Sequence, residues 1–152
     1  MVSYNVSDLT SLGIGLGLLI VIFLFVFVVA YAIGVIPLWF IFKKAGIEPW
    51  KALIPMYNSY LTYELFWDTK WFWILLGAAF ACGLFQAIPV LGLLVSLAMY
   101  AFGIYCGYML AKGIAYSFGQ KTTGFVLLTF FFSLIMYYVY AFGDYKYKKA
   151  QI

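Results

Sequence analysis

The chain has 152 residues, enough for one domain, and 67% of them are apolar while only 9% are charged. A soluble domain carries roughly 25% charged residues, so a water-soluble fold is excluded. The net charge of +4 comes from lysine alone, with no arginine or histidine. That lysine-only set lacks the guanidinium forks of nucleic-acid binders and suits anionic lipid headgroups instead.

The first apolar stretch runs from Ser11 to Phe42, 32 residues without a charge. As one helix it would measure roughly 48 Å against a hydrocarbon core of about 30 Å. A break near Gly34 and Pro37 is expected, because proline removes a backbone donor, with Trp39 beyond it at headgroup level. The first span is therefore placed at 11–37. It is too long for the apolar part of a cleavable signal, so it is expected to stay in the protein.

The segment 43–70 differs in kind. It holds four of the nine lysines and three of the five acids, among Trp50, Tyr57, Tyr60, Tyr63, Phe66 and Trp67. Pro49 and Pro55 each suit a first helical turn, which predicts two short helices. Tyr57, Leu61, Glu64 and Asp68 follow at helical spacing, and a mixed aromatic and charged face is expected to lie along the membrane surface.

Residues 71–111 form a second uncharged stretch of 41 residues, roughly 60 Å of helix and so two crossings. A turn at Pro89 gives spans at 71–88 and 90–111. A short polar connector leads to the last span, 124–142, where eleven of nineteen residues are Leu, Ile, Val or Phe. The expected fold is all-α: a polytopic transmembrane bundle of four spans plus an interfacial segment, as one domain over 1–152. Six lysines then share one side and three the other. The side richer in lysine is cytoplasmic by the positive-inside rule, which puts both termini outside the cell membrane.

Few residues carry chemistry. Gly103 and Gly107 lie on a four-residue repeat that lets helix backbones approach, expected to seat the second span on the third or to form an oligomer seam. Gln86, Ser96, Thr129, Ser133, Tyr100, Tyr105 and Tyr108 are polar at membrane depth, and Tyr105 with Tyr108 could line a groove. Glu64 and Asp68 could share a cation, but no third ligand completes a shell, and Asp68 suits the N-cap of the next helix. Cys82 and Cys106 suit packing rather than a disulfide or metal. Ser117 near Lys121 lacks an oxyanion hole. No metal, cofactor or catalytic set is assigned.

Lys44-Ala45-Gly46, Pro49-Trp50-Lys51-Ala52-Leu53-Ile54-Pro55 and Tyr57-Asn58 together resemble the signature of a family of small, uncharacterised prokaryotic membrane proteins. Lys112, Phe118-Gly119, Lys121-Thr122, Gly124-Phe125 and Ala141-Phe142-Gly143-Asp144 resemble its later motifs, so the likeness covers about residues 41–147. It implies no activity. Related segments that precede signal-peptidase-like domains imply an accessory role at the envelope.

The function expected is that of a non-enzymatic membrane accessory or assembly subunit acting through helix packing and the aromatic segment. Its partners would be the lipid bilayer and other membrane proteins or itself, not nucleic acid. A small oligomeric transporter or channel component, and an immunity protein against a membrane-active peptide, are the alternatives. Trp50, Pro55, Tyr57 and Asn58 are the expected interaction residues. Tyr57 and Asn58 are expected to hydrogen-bond the cytoplasmic ends of the spans, leaving Trp50 for headgroups or a partner.

Overall fold

A computed structural model describes residues 6–86 and 88–150, with side chains described from Gly13 onward except at Pro89. Six α-helices and one 3₁₀ turn make up the regular structure of the described residues: α1 Val6–Lys44, the turn Pro49–Leu53, α2 Pro55–Phe66, α3 Thr69–Phe85, α4 Pro89–Ser117, α5 Thr123–Phe131 and α6 Ser133–Phe142. No strand occurs among the described residues, so the all-α expectation holds. The chain divides into two compact units that meet between Ile36 and Pro37.

The first unit is the greater part of α1. Every large apolar side chain from Ile14 to Val29 is at least 42% exposed. A helix that is apolar all round has no favourable state in water, and in lipid its surface matches the solvent. α1 and α4 are each long and apolar enough to cross a membrane, and the bent pair α5–α6 is apolar enough for either a broken third span or a re-entrant loop. The protein is thus a helical membrane protein. α3, at 17 residues, reaches roughly 25 Å and falls just short of the hydrocarbon thickness.

The boundaries depart from expectation in several places. α1 runs unbroken through Pro37 to Lys44, since one missing donor is tolerated in a membrane helix. Near its end, Ile41 and Phe42 are fully buried in the second unit, while Trp39 and Phe40 stay exposed. α4 continues past Ala111 to Ser117 and takes in Lys112. The expected last span, 124–142, is two helices bent by 114° at Phe132. No proline or glycine causes the bend, and Phe132 leaves helical geometry at φ −118°, ψ 44°.

α1 and α4 end in the same way. Gly46 and Gly119 take φ of +77° and +81°, the left-handed conformation that glycine adopts without penalty. The amide of Ile47 reaches the Phe42 carbonyl at 2.9 Å, and that of Gln120 reaches Ala115 at 2.8 Å. These bonds close a Schellman-type C-cap in each case.

The core of the second unit gathers where these ends meet. Phe42, Phe66, Ile114, Phe118 and Tyr140 are buried. Phe118 stacks on Tyr140, and Phe66 and Phe118 both meet the ring of Tyr147. Residues 143–150 are fastened to this cluster. The Lys148 amide donates to the Ser117 carbonyl at 2.8 Å, and the Ala150 amide to Ser117 Oγ at 3.2 Å. The Tyr147 hydroxyl donates to the Leu65 carbonyl at 3.0 Å.

Candidate interaction site

The segment 49–60 is built by its two prolines. Pro49 opens the 3₁₀ turn and Pro55 opens α2, each at a position where a missing N–H costs nothing. Ile54, held extended by the proline that follows it (φ −95°, ψ 110°), links the two and sets a sharp corner.

Asn58 locks that corner from inside. It is buried, and its Nδ2 donates to the Ala52 carbonyl at 3.0 Å, while Ala52 is itself fully buried. Its Oδ1 accepts from Ser59 Oγ at 3.2 Å, and its carbonyl accepts from Thr62 Oγ1 at 2.7 Å. The expected bonds from Tyr57 and Asn58 to the ends of the spans do not occur among the described residues: Asn58 serves its own turn, and the Tyr57 ring stacks on Tyr60 at 6.0 Å. A side-chain amide one turn inside a helix satisfies the nearest orphan carbonyl first.

The other side of the corner faces outward. Trp50 is 50% exposed, and Leu53, Ile54, Met56 and Tyr57 are exposed beside it. Ile54, Met56, Tyr57, Tyr60, Phe72, Trp73 and Leu76 line an apolar groove of about 590 Å³ between the start of α2 and α3. Pro55, exposed at the corner, holds the two arms of this surface apart. α2 is no free surface helix, since Leu61, Leu65 and Phe66 are buried as it packs on α3 and α4. Leu61 turns inward while Tyr57 and Glu64 stay out, so the anticipated mixed face does not exist as one face.

Glu64 and Asp68 are parted by a helix end. α2 stops at Phe66, and Asp68 caps α3, its Oδ1 accepting from the Lys70 amide at 2.9 Å. The capped helix opens at Thr69, two residues earlier than expected. No group of three potential metal ligands occurs among the described residues.

The glycine repeat meets something other than α3. A Cβ at Gly107 would lie 3.2 Å from the ring of Phe130 on α5, and a Cβ at Gly103 would meet nothing within 4 Å. α3 instead approaches α4 through Trp71, which packs on Phe102 and Tyr105. Tyr105 also faces Trp67, whereas Tyr108 faces Phe130. The two tyrosines look towards different neighbours. Gln86 Nε2 donates to Ser96 Oγ at 2.8 Å, tying the α3–α4 hairpin. Ser117 is fully buried, its carbonyl accepting from the Lys148 amide and its Oγ from the Ala150 amide. Sequence reasoning did not foresee that the closing segment folds back onto Ser117 and Leu65. Its alternation of tyrosine and lysine, Tyr145-Lys146-Tyr147-Lys148, was the available signal.

The fold and this outward aromatic corner define a helical membrane protein with a structured segment between its first and second long apolar stretches. Residues 50–150 match a family of unknown function, DUF5684, and the chain belongs to that family. The match starts at Trp50 and runs to the end of the fastened tail, leaving out α1. No functionally curated protein and no solved structure matches the chain.

Proposed function

We propose that the protein is a non-enzymatic accessory or assembly subunit of the membrane, which works by packing its helices beside another membrane protein or a second copy. One observation supports this role above the rest: the segment 50–60 is divided between a locked interior and an apolar exterior. Asn58 and Ala52 fix the corner, and that rigidity presents Trp50, Met56 and the groove beside them in one arrangement. A preorganised apolar surface loses little conformational entropy on binding, and aromatic anchors in such surfaces dominate recognition. In this reading the segment 43–70 lies on the cytoplasmic side and the stretch before α1 outside.

A photo-crosslinking residue in place of Met56, activated in native membranes, tests the proposal. A discrete adduct to one membrane protein, or to a second copy, that disappears with Trp50→Ala is the expected result. Adducts to lipid alone, unchanged by Trp50→Ala, would make the corner only an anchor.

The bent pair α5–α6 favours a second reading, as a component of an oligomeric transporter or channel. Broken helices at membrane depth commonly line transport sites. Against that stands the engagement of the pair's buried hydroxyls with each other, Thr129 Oγ1 lying 3.0 Å from the Tyr140 hydroxyl.

A further inference from the structure

α5 begins five residues after Phe118, the residue that caps α4, and α6 ends with Tyr140 stacked on that same Phe118 at 4.8 Å. Lys44, in the last turn of α1, donates to the carbonyls of Tyr140 and Gly143 at 2.7 and 2.6 Å. The tail then runs back along Ser117. Both ends of the α5–α6 pair therefore lie at the end where α1 and α4 finish. With nine and ten residues, its arms measure roughly 13 and 15 Å, about half the hydrocarbon thickness each.

From this geometry we infer that α5 and α6 form a re-entrant hairpin, which enters the membrane and leaves on the side it came from, and that the face so assembled seats on anionic lipid headgroups. The hairpin carries Lys146, Lys148 and Lys149 to the side that already holds Lys43, Lys44, Lys51, Lys70, Lys112 and Lys121. All nine lysines and the four acids of the second unit, Glu48, Glu64, Asp68 and Asp144, then share one end, a net charge of +5. Alternating full spans would split the lysines six to three; the hairpin gives the positive-inside rule no dissenting charge. Lys146, Lys148 and Lys149 are exposed, and a cluster of exposed lysines beside a membrane helix attracts the negative cytoplasmic leaflet. Lys44 is engaged inside the fold and takes no part in this attraction. The inference does not depend on the partner proposed above.

Single cysteines at Ser59, Lys121 and Lys146, in a Cys82→Ala, Cys106→Ala background, test the arrangement with a membrane-impermeant thiol reagent. All three should be labelled in inside-out vesicles and protected in intact cells. Labelling of position 146 from the side opposite to position 59 would overturn the hairpin. The lipid half is tested on the unmodified protein reconstituted in phosphatidylcholine, with or without phosphatidylglycerol. The anionic lipid should raise the unfolding temperature, and added salt or Lys146→Gln with Lys148→Gln and Lys149→Gln should erase most of the gain. An equal unfolding temperature in both vesicles would overturn it. Should the cysteine-free background fold poorly, protease cleavage of the tail in inside-out vesicles of the unmodified protein answers the same question.

Discussion

Phe118 and Tyr140 stack face to face, their ring centroids 4.8 Å apart and their planes 8° from parallel. One ring caps α4 and the other sits in the last turn of α6, so a single contact closes the α5–α6 hairpin. Tyr140 is fully buried, its hydroxyl pairs with Thr129, and its carbonyl receives Lys44. In one residue, α1, α4 and α5 are joined through α6.

Removing that residue should therefore cost more than removing its hydroxyl. Tyr140→Ala leaves a cavity at the meeting point of the helix ends and should lower stability by about 3–5 kcal/mol. Tyr140→Phe keeps the stack, and Thr129 retains its bond to the Phe125 carbonyl at 2.7 Å, so a loss of about 1 kcal/mol is expected. Unfolding in detergent, followed by tryptophan fluorescence, measures both.

Lys43 and Lys44 are adjacent, and only one of them is tied into the fold. The Lys44 ammonium satisfies carbonyls at the end of α6, where a positive charge also complements the helix dipole. Lys43 is exposed. Lys44→Met should destabilise by about 2 kcal/mol, in the range of a hydrogen bond to a charged group, and Lys43→Met should change the unfolding midpoint little.

Glycines separate in the same manner. A Cβ at Gly143 would lie 2.6 Å from the Val139 carbonyl oxygen and 2.8 Å from the Tyr145 ring. The backbone oxygen cannot give way, so Gly143→Ala should cost about 1–3 kcal/mol. Gly103→Ala enters open space within α4 and should add roughly 0.5–1 kcal/mol by helix propensity. Gly107→Ala should fall between them, because Phe130 can yield a few tenths of an ångström. Parallel thermal unfolding of the three variants checks the order.

Helical class and membrane setting were legible in the sequence because lipid-facing surface demands long apolar runs, and Ser11–Phe42 supplies one directly. The two prolines of segment 43–70 marked two helix starts, and Asp68 marked a third, because each reflects a local backbone constraint. The bend at Phe132 was not legible. Phe130-Phe131-Phe132 carries no breaker, and the contacts that hold the far end of the bent pair, Tyr140 on Phe118 and Lys44 on the Tyr140 and Gly143 carbonyls, are distant in sequence. Thr129 and Tyr140 offered a hint, two hydroxyls in apolar surroundings that each need a partner. The glycine repeat revealed a face of α4 but not the neighbour opposite it, since spacing says nothing of which helix arrives. Asn58 stood out as a polar residue early in a helix, and its amide finds the carbonyl of Ala52, six residues away, rather than another helix.

Tyr147 gives the tail a pH dependence with a definite sign. Its ring packs against Phe66 and Phe118, its hydroxyl donates to the Leu65 carbonyl, and burial pushes the phenol above its ordinary value of 10.0. In the unfolded chain the same phenol ionises at about pH 10. Above that pH the folded state still holds a proton that the unfolded state has released. Stability contributed by the protonated phenol is thus constant below about pH 10 and falls as pH rises beyond it. Tyr147→Phe removes the hydrogen bond and the titration together. At pH 8 the variant should be less stable than the native chain by about 1 kcal/mol, and at pH 11 the gap should narrow or reverse. Other tyrosines and the lysines titrate in both proteins, so the difference between the two isolates this group. Unfolding midpoints of the pair in detergent at the two pH values decide it. A gap that stays constant from pH 8 to pH 11 would mean that the Tyr147 hydroxyl is not held against Leu65, and that the tail is looser than the fold described above.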